Sequence, residues 1–540
     1  MRFAHAMLAM TQPRHERRTG GAHSATGRAI YTPAPPLPPL VSWGWTLIVA
    51  LFGALLRIIR LGEPRAVVFD ETYYVKDAWT TLNTGEPRNW PESVTYGGKS
   101  VSPNIPFADG DVNGWFDTAE YVVHPPMGKW FIAWGLNLFG GAQHVYAWRI
   151  ATAVAGVAAI VILIRLALRL FHTMPIALGA GFLMAIDGVG IVMSRTGLLD
   201  NFIMVLALGA FMLLVMHRDW ARARLLAAAG AEEATAKPPQ IAFSWYRVGA
   251  AVLLGLTTGV KWSGTYFFAV FCVISVLWDA WQYHEAGYAR WFLNAGLGTG
   301  LLTALYMVPI YALSYLATWI GWFIHPDSYM HDWALQHPGE GVTWLPATLR
   351  SFVEYHREMW QFHTTLDAPH DYKANPLTWP LQIRPTSFYW EKLDGHPGMC
   401  SLAPHSQCVS AVTSLGNPII WWLGSLCAVV AVGVALWRHG DWRIWAVLAG
   451  FLAGWLPWAQ YLHRTTFTFY SIVLLPWIIL SICYVLDWIR DTCATRIWTS
   501  TFAAVLVVCT LVSVFFYPIW TALPTPYEFW LSHMWLDSWI

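Results

Sequence analysis

The stretch Val41-Ser-Trp-Gly-Trp-Thr-Leu-Ile-Val-Ala-Leu-Phe-Gly-Ala-Leu-Leu-Arg-Ile-Ile-Arg-Leu61 is followed shortly by Val67-Val-Phe-Asp-Glu-Thr-Tyr-Tyr74. The first run is apolar enough, and as a helix long enough, to cross a hydrocarbon core of about 30 Å. The second places two adjacent carboxylates, Asp70 and Glu71, just outside its mouth. Charges beside a bilayer are costly unless they bind or catalyse something. The stretch therefore predicts a membrane protein whose chemistry begins in its first loop.

The remaining sequence supports the membrane half of that reading. The chain is 56% hydrophobic and 12% charged, with mean hydropathy +0.42; a soluble domain carries about twice that charge. Many of the 35 tryptophans flank apolar runs, as interfacial belts require. A net charge of +1 gives no nucleic-acid signature, and the scattered histidines form no metal-ligand cluster. The Arg-, Pro- and Gly-containing residues 1–40 lack a long apolar core and read as a disordered basic tail rather than a cleaved signal peptide.

Apolar periodicity predicts spans at roughly 41–61, 145–170, 175–194, 199–216, 246–261, 264–282, 291–320, 417–437, 444–461, 467–488 and 498–520, about eleven in all. With that count, Arg14, Arg17, Arg18, Arg165, Arg169, Arg218, Arg222, Arg224, Lys237, Arg438, Arg443, Arg490 and Arg496 share one side, which the positive-inside rule makes cytoplasmic. The opposite side receives two long loops, 62–144 and 321–416, and the C-terminus. Residues 128–140 are apolar but short for a span, with Phe131, Trp134 and Leu138 on one helical face; they predict an interfacial or re-entrant helix. The alternative is a true span, with 246–261 and 264–282 merged into one. Cys400 and Cys408 share the second long loop; if that loop is exported it permits a disulfide, and if it is cytoplasmic they are thiols.

The expected outer face collects most ionisable residues lodged between apolar runs: Arg57, Arg60, Asp70, Glu71, His124, Lys129, Arg149, Arg195, Asp200, Lys261, His463 and Arg464. A few acids among many bases suits transfer from a lipid phosphate. Lys and Arg hold the headgroup and stabilise charge on a leaving phosphate. A carboxylate within hydrogen-bond reach deprotonates an acceptor hydroxyl. Structural readings stand beside these. Arg57 and Arg60 can snorkel, Arg195 and Asp200 can pair to hold a turn, and His124-Pro-Pro can simply start a helix. Lys129, Lys261 and His463-Arg464 can anchor spans at the interface.

Phe69-Asp-Glu71, His124-Pro-Pro-Met-Gly-Lys129, Ser194-Arg-Thr-Gly-Leu-Leu-Asp200 and Gly259-Val-Lys-Trp-Ser-Gly264 resemble, in order, the motifs of the protein O-mannosyltransferases. The resemblance covers about 41–520. It implies an all-α polytopic GT-C glycosyltransferase over 41–540, in the shorter actinobacterial form. Eukaryotic members carry a β-trefoil (MIR) insertion in the central loop, and here 321–416 shows no repeat. It implies a polyprenyl-phosphate mannose donor, Ser/Thr acceptors on exported polypeptides and a bacterial plasma-membrane setting. Asp70 would be the base and Glu71 a positioning group, with Arg384 and the Cys400–Cys408 pair shaping a lid. The translocation machinery is an expected neighbour, and no metal or other cofactor is required by this scheme.

The rivals are a related transferase using another lipid-phosphate sugar or a lipid acceptor, and a secondary transporter. A transporter should place its charges near the midplane of broken helices and show inverted repeats.

Overall fold

The structure, a computed structural model, describes residues 38–229, 238–437 and 441–540. Nearly all of the expected basic tail, with Lys237 and Arg438, lies outside these residues.

The chain folds as a helical bundle with two packed outer loops. Its elements begin with α1 (Pro39–Ile58), α2 (Glu71–Thr84), α3 (Met127–Leu138), α4 (Val145–Phe171), α5 (Met174–Ile186), α6 (Gly188–Ser194) and α7 (Asp200–Ala229). There follow α8 (Trp245–Val260), α9 (Gly264–Glu285), α10 (Leu301–Thr318) and, in the second long loop, α11 (Ala347–Thr365). The chain closes with α12 (Pro418–Trp437), α13 (Trp442–Gly454), α14 (Leu475–Thr492) and α15 (Thr495–Trp520). A hairpin, β1 (Val94–Tyr96) and β2 (Lys99–Val101), lies in the first loop; β3 (Thr386–Leu393), β4 (Cys408–Ser414) and β5 (Thr525–Pro526) form an antiparallel sheet in that order.

Every expected span is helical, but among the described residues eight helices are long and apolar enough to cross a bilayer, or nine if the bent pair α5–α6 is one span. The expected count of about eleven exceeds this because α8 has 16 residues and α13 has 13, where about 20 are needed. The merged alternative does not form: α8 and α9 are separate helices joined through Lys261. The 12-residue α3 is about 18 Å long, too short to span, and it exposes Trp134 and Leu138.

A 60° bend separates α5 from α6. Asp187 caps α6, accepting from Gly190 N at 3.0 Å, while its other oxygen accepts from Asn417 N and Trp421 Nε1, each at 3.0 Å. The carbonyls freed at the break, Met184 and Ala185, accept from Arg57 at 2.9 Å. Both of these carbonyls are thus satisfied, as buried backbone demands. Gly188 is required there: a Cβ would lie 2.2 Å from the Leu415 carbonyl oxygen.

The arginine-rich helix ends meet at one end of the bundle, through Arg169–Asp219, Arg222–Glu285, Arg443–Asp487 and Arg490–Asp487. The two long loops meet at the other. Arg88 binds Asp327 at 2.7 Å, the Tyr355 hydroxyl donates to the Val122 carbonyl at 3.1 Å, and His363 Nε2 lies 2.6 Å from the Val123 carbonyl. Cys400 and Cys408 form the disulfide, closing the turn between β3 and β4.

Candidate active site

At the loop end a cavity of about 760 Å³ opens. Its polar end holds Asp200, Lys261, His124, His363 and Arg464; one long wall is Tyr311, Ala312, Tyr315 and Leu316 of α10. Asp200 starts α7, and Lys261 sits in the turn between α8 and α9, so two helix ends bring the pair together with Nζ–Oδ2 at 2.8 Å. The Lys261 ammonium also lies 4.8 Å from the Tyr470 ring centre and 5.7 Å from that of Tyr74. Burial works against its charge, but Asp200, and more weakly Tyr470 and Asp70, raise its pKa overall. It is a permanently charged cation at physiological pH.

Asp70 stands beside this end as the residue before α2, partly exposed, with the Tyr74 hydroxyl 3.5 Å from Oδ2. Burial, opposed by Lys261 and reinforced by Asp200, pushes its pKa up to about 6. Its backbone is set by a strained neighbour: Phe69 has φ of 46°, a left-handed conformation costing about 1–3 kcal/mol for such a residue. The Phe69 ring is fixed among Phe388, Phe467, Phe469 and His370, with centroids 4.9–6.1 Å away. Aromatic packing thus overdetermines where Asp70 points.

Glu71 has a different task from the one its sequence neighbour suggests. It is fully buried, takes a two-pronged pair from Arg149 at 2.8 and 2.9 Å, and accepts from Gly197 N and Val68 N at 2.7 and 3.0 Å. All its acceptor directions are used, so it is not free to touch a substrate. It pins α2 to α4 and to the turn before α7. Arg149 is equally occupied, also donating to the Pro64 and Ala66 carbonyls.

Other expected phosphate ligands are structural too. Arg57 staples the α5–α6 break, and Arg195 donates to the carbonyls of Arg57, Ile59 and Arg60 at 2.7–2.8 Å, capping α1. Arg60 is exposed and outside the cavity wall. Lys129 pairs with Asp77 at 3.0 Å in the interior, apart from the cavity wall. Arg384 holds the C-terminus through the Ser538 and Ile540 carbonyls. His463 is exposed and lies 3.3 Å from the Thr364 carbonyl. The cavity therefore brings together Asp200, Lys261, His124 and Arg464, with Asp70 beside them, and leaves the rest outside its wall.

The sequence reading missed several neighbours. His363 stacks on His124 with centroids 5.1 Å apart. Its Nε2 faces the Val123 carbonyl, which leaves Nδ1 to accept from Arg464 at 3.2 Å. Burial, with Arg464 close by, lowers its pKa to about 4, and burial, with Lys261 and His363 close by, holds that of His124 well below the usual imidazole range. Both rings are neutral at pH 7. Tyr315 receives a hydrogen bond from Trp262 Nε1 at 3.0 Å and lies 2.6 Å from His356 Nε2. Only Tyr74 carried a sequence signal, standing one helical turn from Asp70. Among the described residues no group of three His, Cys, Asp or Glu side chains has metal-binding geometry.

Residues 123–236 match the family model described as dolichyl-phosphate-mannose-protein mannosyltransferase, and 348–539 match that of the C-terminal four-transmembrane region of protein O-mannosyltransferase. A polyprenol-phosphate-mannose–protein mannosyltransferase of Mycolicibacterium smegmatis is 32% identical over 542 residues, covering 94% of this chain and 97% of the relative. The protein of the same name from Mycobacterium tuberculosis is 31% identical, covering 93% of each chain. The solved Saccharomyces cerevisiae Pmt1–Pmt2 complex bound to the sugar donor shares the fold, with TM-score 0.70 at 14% identity over 93% of each chain. The multi-span bundle and its polar cavity thus define a membrane glycosyltransferase of the GT-C type. The chain belongs to the polyprenol-phosphate-mannose–protein mannosyltransferase family.

Proposed function

We propose that the chain transfers mannose from polyprenyl-phosphate mannose to Ser or Thr hydroxyls of exported polypeptides, with Asp70 as general base. The observation that carries this is a carboxyl of raised pKa, Asp70, standing beside a fixed cation, Lys261, which is held by Asp200 at the polar end of a cavity walled by a bundle helix. The donor phosphate lies against Lys261 and Arg464, and its isoprenoid chain leaves along the apolar α10 wall. Asp70 takes the hydroxyl proton as the acceptor oxygen attacks the anomeric carbon. The bond from that carbon to the phosphate oxygen breaks, and the electron pair leaves on polyprenyl phosphate. Lys261 and Arg464 stabilise the charge that develops there. One displacement inverts the anomeric centre, so a β-linked donor gives an α-mannoside.

The same reading puts the site on the extracytoplasmic face of a bacterial plasma membrane, with the N-terminus cytoplasmic and the C-terminus outside; the arginine-rich opposite end supports it. Export delivers acceptors unfolded, which makes the translocation machinery a natural neighbour.

The test is a transfer assay with membranes containing the protein, radiolabelled polyprenyl-phosphate mannose and a Ser/Thr peptide. The label should appear on the peptide and be released by α-mannosidase. Label confined to the lipid fraction, or resistant to that enzyme, refutes the assignment.

A further inference from the structure

β3 is the open edge of the sheet. On one side it pairs along its length with β4. The far side of β4 is closed by β5 and by Ala522, whose N–H donates to the Ala411 carbonyl at 3.2 Å. Among the described residues, no backbone hydrogen bond reaches the outer side of β3. Trp390, Glu391 and Lys392 are exposed there, whereas every residue of β4 is buried. A row of unpaired N–H and C=O groups is a template for another extended chain.

The inner end of β3 touches the catalytic loop. Phe388 stacks on Phe69 with centroids 4.9 Å apart and rings 16° from parallel, and Phe69 immediately precedes Asp70. The strand pairing shifts register between Ser387 and Tyr389, an irregularity of the kind that re-aims side chains near sites. The outer end is stiffened by Cys400–Cys408, with Cys408 opposite Leu393. The open part of the strand, beyond the buried Phe388, therefore begins one residue past the ring that packs on Phe69 and continues out to solvent.

We infer that β3 binds the acceptor polypeptide as an added strand and delivers its hydroxyl to Asp70. The inference rests on the proposed function above and adds where the acceptor lies. Recognition through main-chain hydrogen bonds gives affinity with little demand on side chains, which suits an enzyme acting on many unfolded substrates. The five residues 389–393 offer about 17 Å of edge, enough to hold a short extended segment on one side of the modified residue.

Backbone N-methylation of the acceptor peptide is the direct test, because it removes one donor and keeps the side chains. In membranes holding the full chain, a methyl group is moved residue by residue away from the acceptor Thr. The acceptor KM should rise about tenfold or more at alternate positions and little at those between, the period-two pattern of a strand. The donor KM should be unchanged. A second arm uses Glu391→Cys, which should form a disulfide with a peptide carrying Cys a few residues from its Thr, and should do so less when excess Cys-free peptide competes. Equal KM at every position, or no competition for the crosslink, overturns the inference. If the unmodified peptide receives no mannose at all, the proposed function fails instead.

Discussion

Asp70 and Glu71 are neighbours with opposite fates. Asp70 stays at the edge of the site with its pKa pushed up to about 6 by burial, whereas Glu71 is spent on Arg149 and two backbone donors. Because the folded state holds the Asp70 proton more tightly than the ordinary 3.8, charging it opposes folding as pH rises through about 6. Asp70→Asn should therefore leave thermal stability at pH 7.5 equal or higher, read as the temperature at which detergent-solubilised protein aggregates. A base must be ionised, so kcat/KM should climb as pH rises through about 6. Lys261 holds the Asp70 pKa down; Lys261→Met should move that acid limb to higher pH and raise the donor KM, and an unmoved limb would separate the two groups. Glu71→Ala should act on folding, at about 3–5 kcal/mol, since it leaves Arg149 buried without its partner. Adding Arg149→Met should recover part of the loss, measured as yield of monodisperse protein.

At the scale of elements, apolar runs announced every helix that crosses the bundle, because a lipid-facing helix must show about 20 apolar residues in sequence. What they did not announce are features set by contacts between distant segments. The α5–α6 break is written in Asp187, whose partners are Asn417 and Trp421, over two hundred positions away. The sheet escaped notice because Thr386–Leu393 and Cys408–Ser414 lie in a loop read only as a lid, and β4 is buried on both faces, so neither strand alternates cleanly. Arg57, Arg149 and Arg195 looked like phosphate ligands because sequence shows charge at a helix end but not the carbonyls or carboxylate that occupy it. The Cys400–Cys408 pair was legible from position alone. Replacing both with Ser should loosen the β3–β4 turn by about 2–3 kcal/mol for so short a loop, seen as faster proteolysis within 394–407. If cleavage there is unchanged, the bridge is not what stiffens the edge.

For the whole molecule, composition fixed the class, and the crowding of charge at one end fixed where to look. The structure divides that charge into a frame of buried ion pairs and a smaller working set around Lys261. Arg-rich helix ends on the opposite side predict the orientation: a reporter fused after Ile540 should read as extracytoplasmic, and a cytoplasmic signal would invert the molecule and place the cavity on the wrong side for exported acceptors. The most direct test of the account compares the native chain with Asp70→Asn in membranes supplied with radiolabelled polyprenyl-phosphate mannose and a Thr-containing peptide. The native chain should label the peptide, and transfer should fall by about 10²–10⁴ in a variant that inserts and folds normally. Near-native transfer by Asp70→Asn would contradict the account.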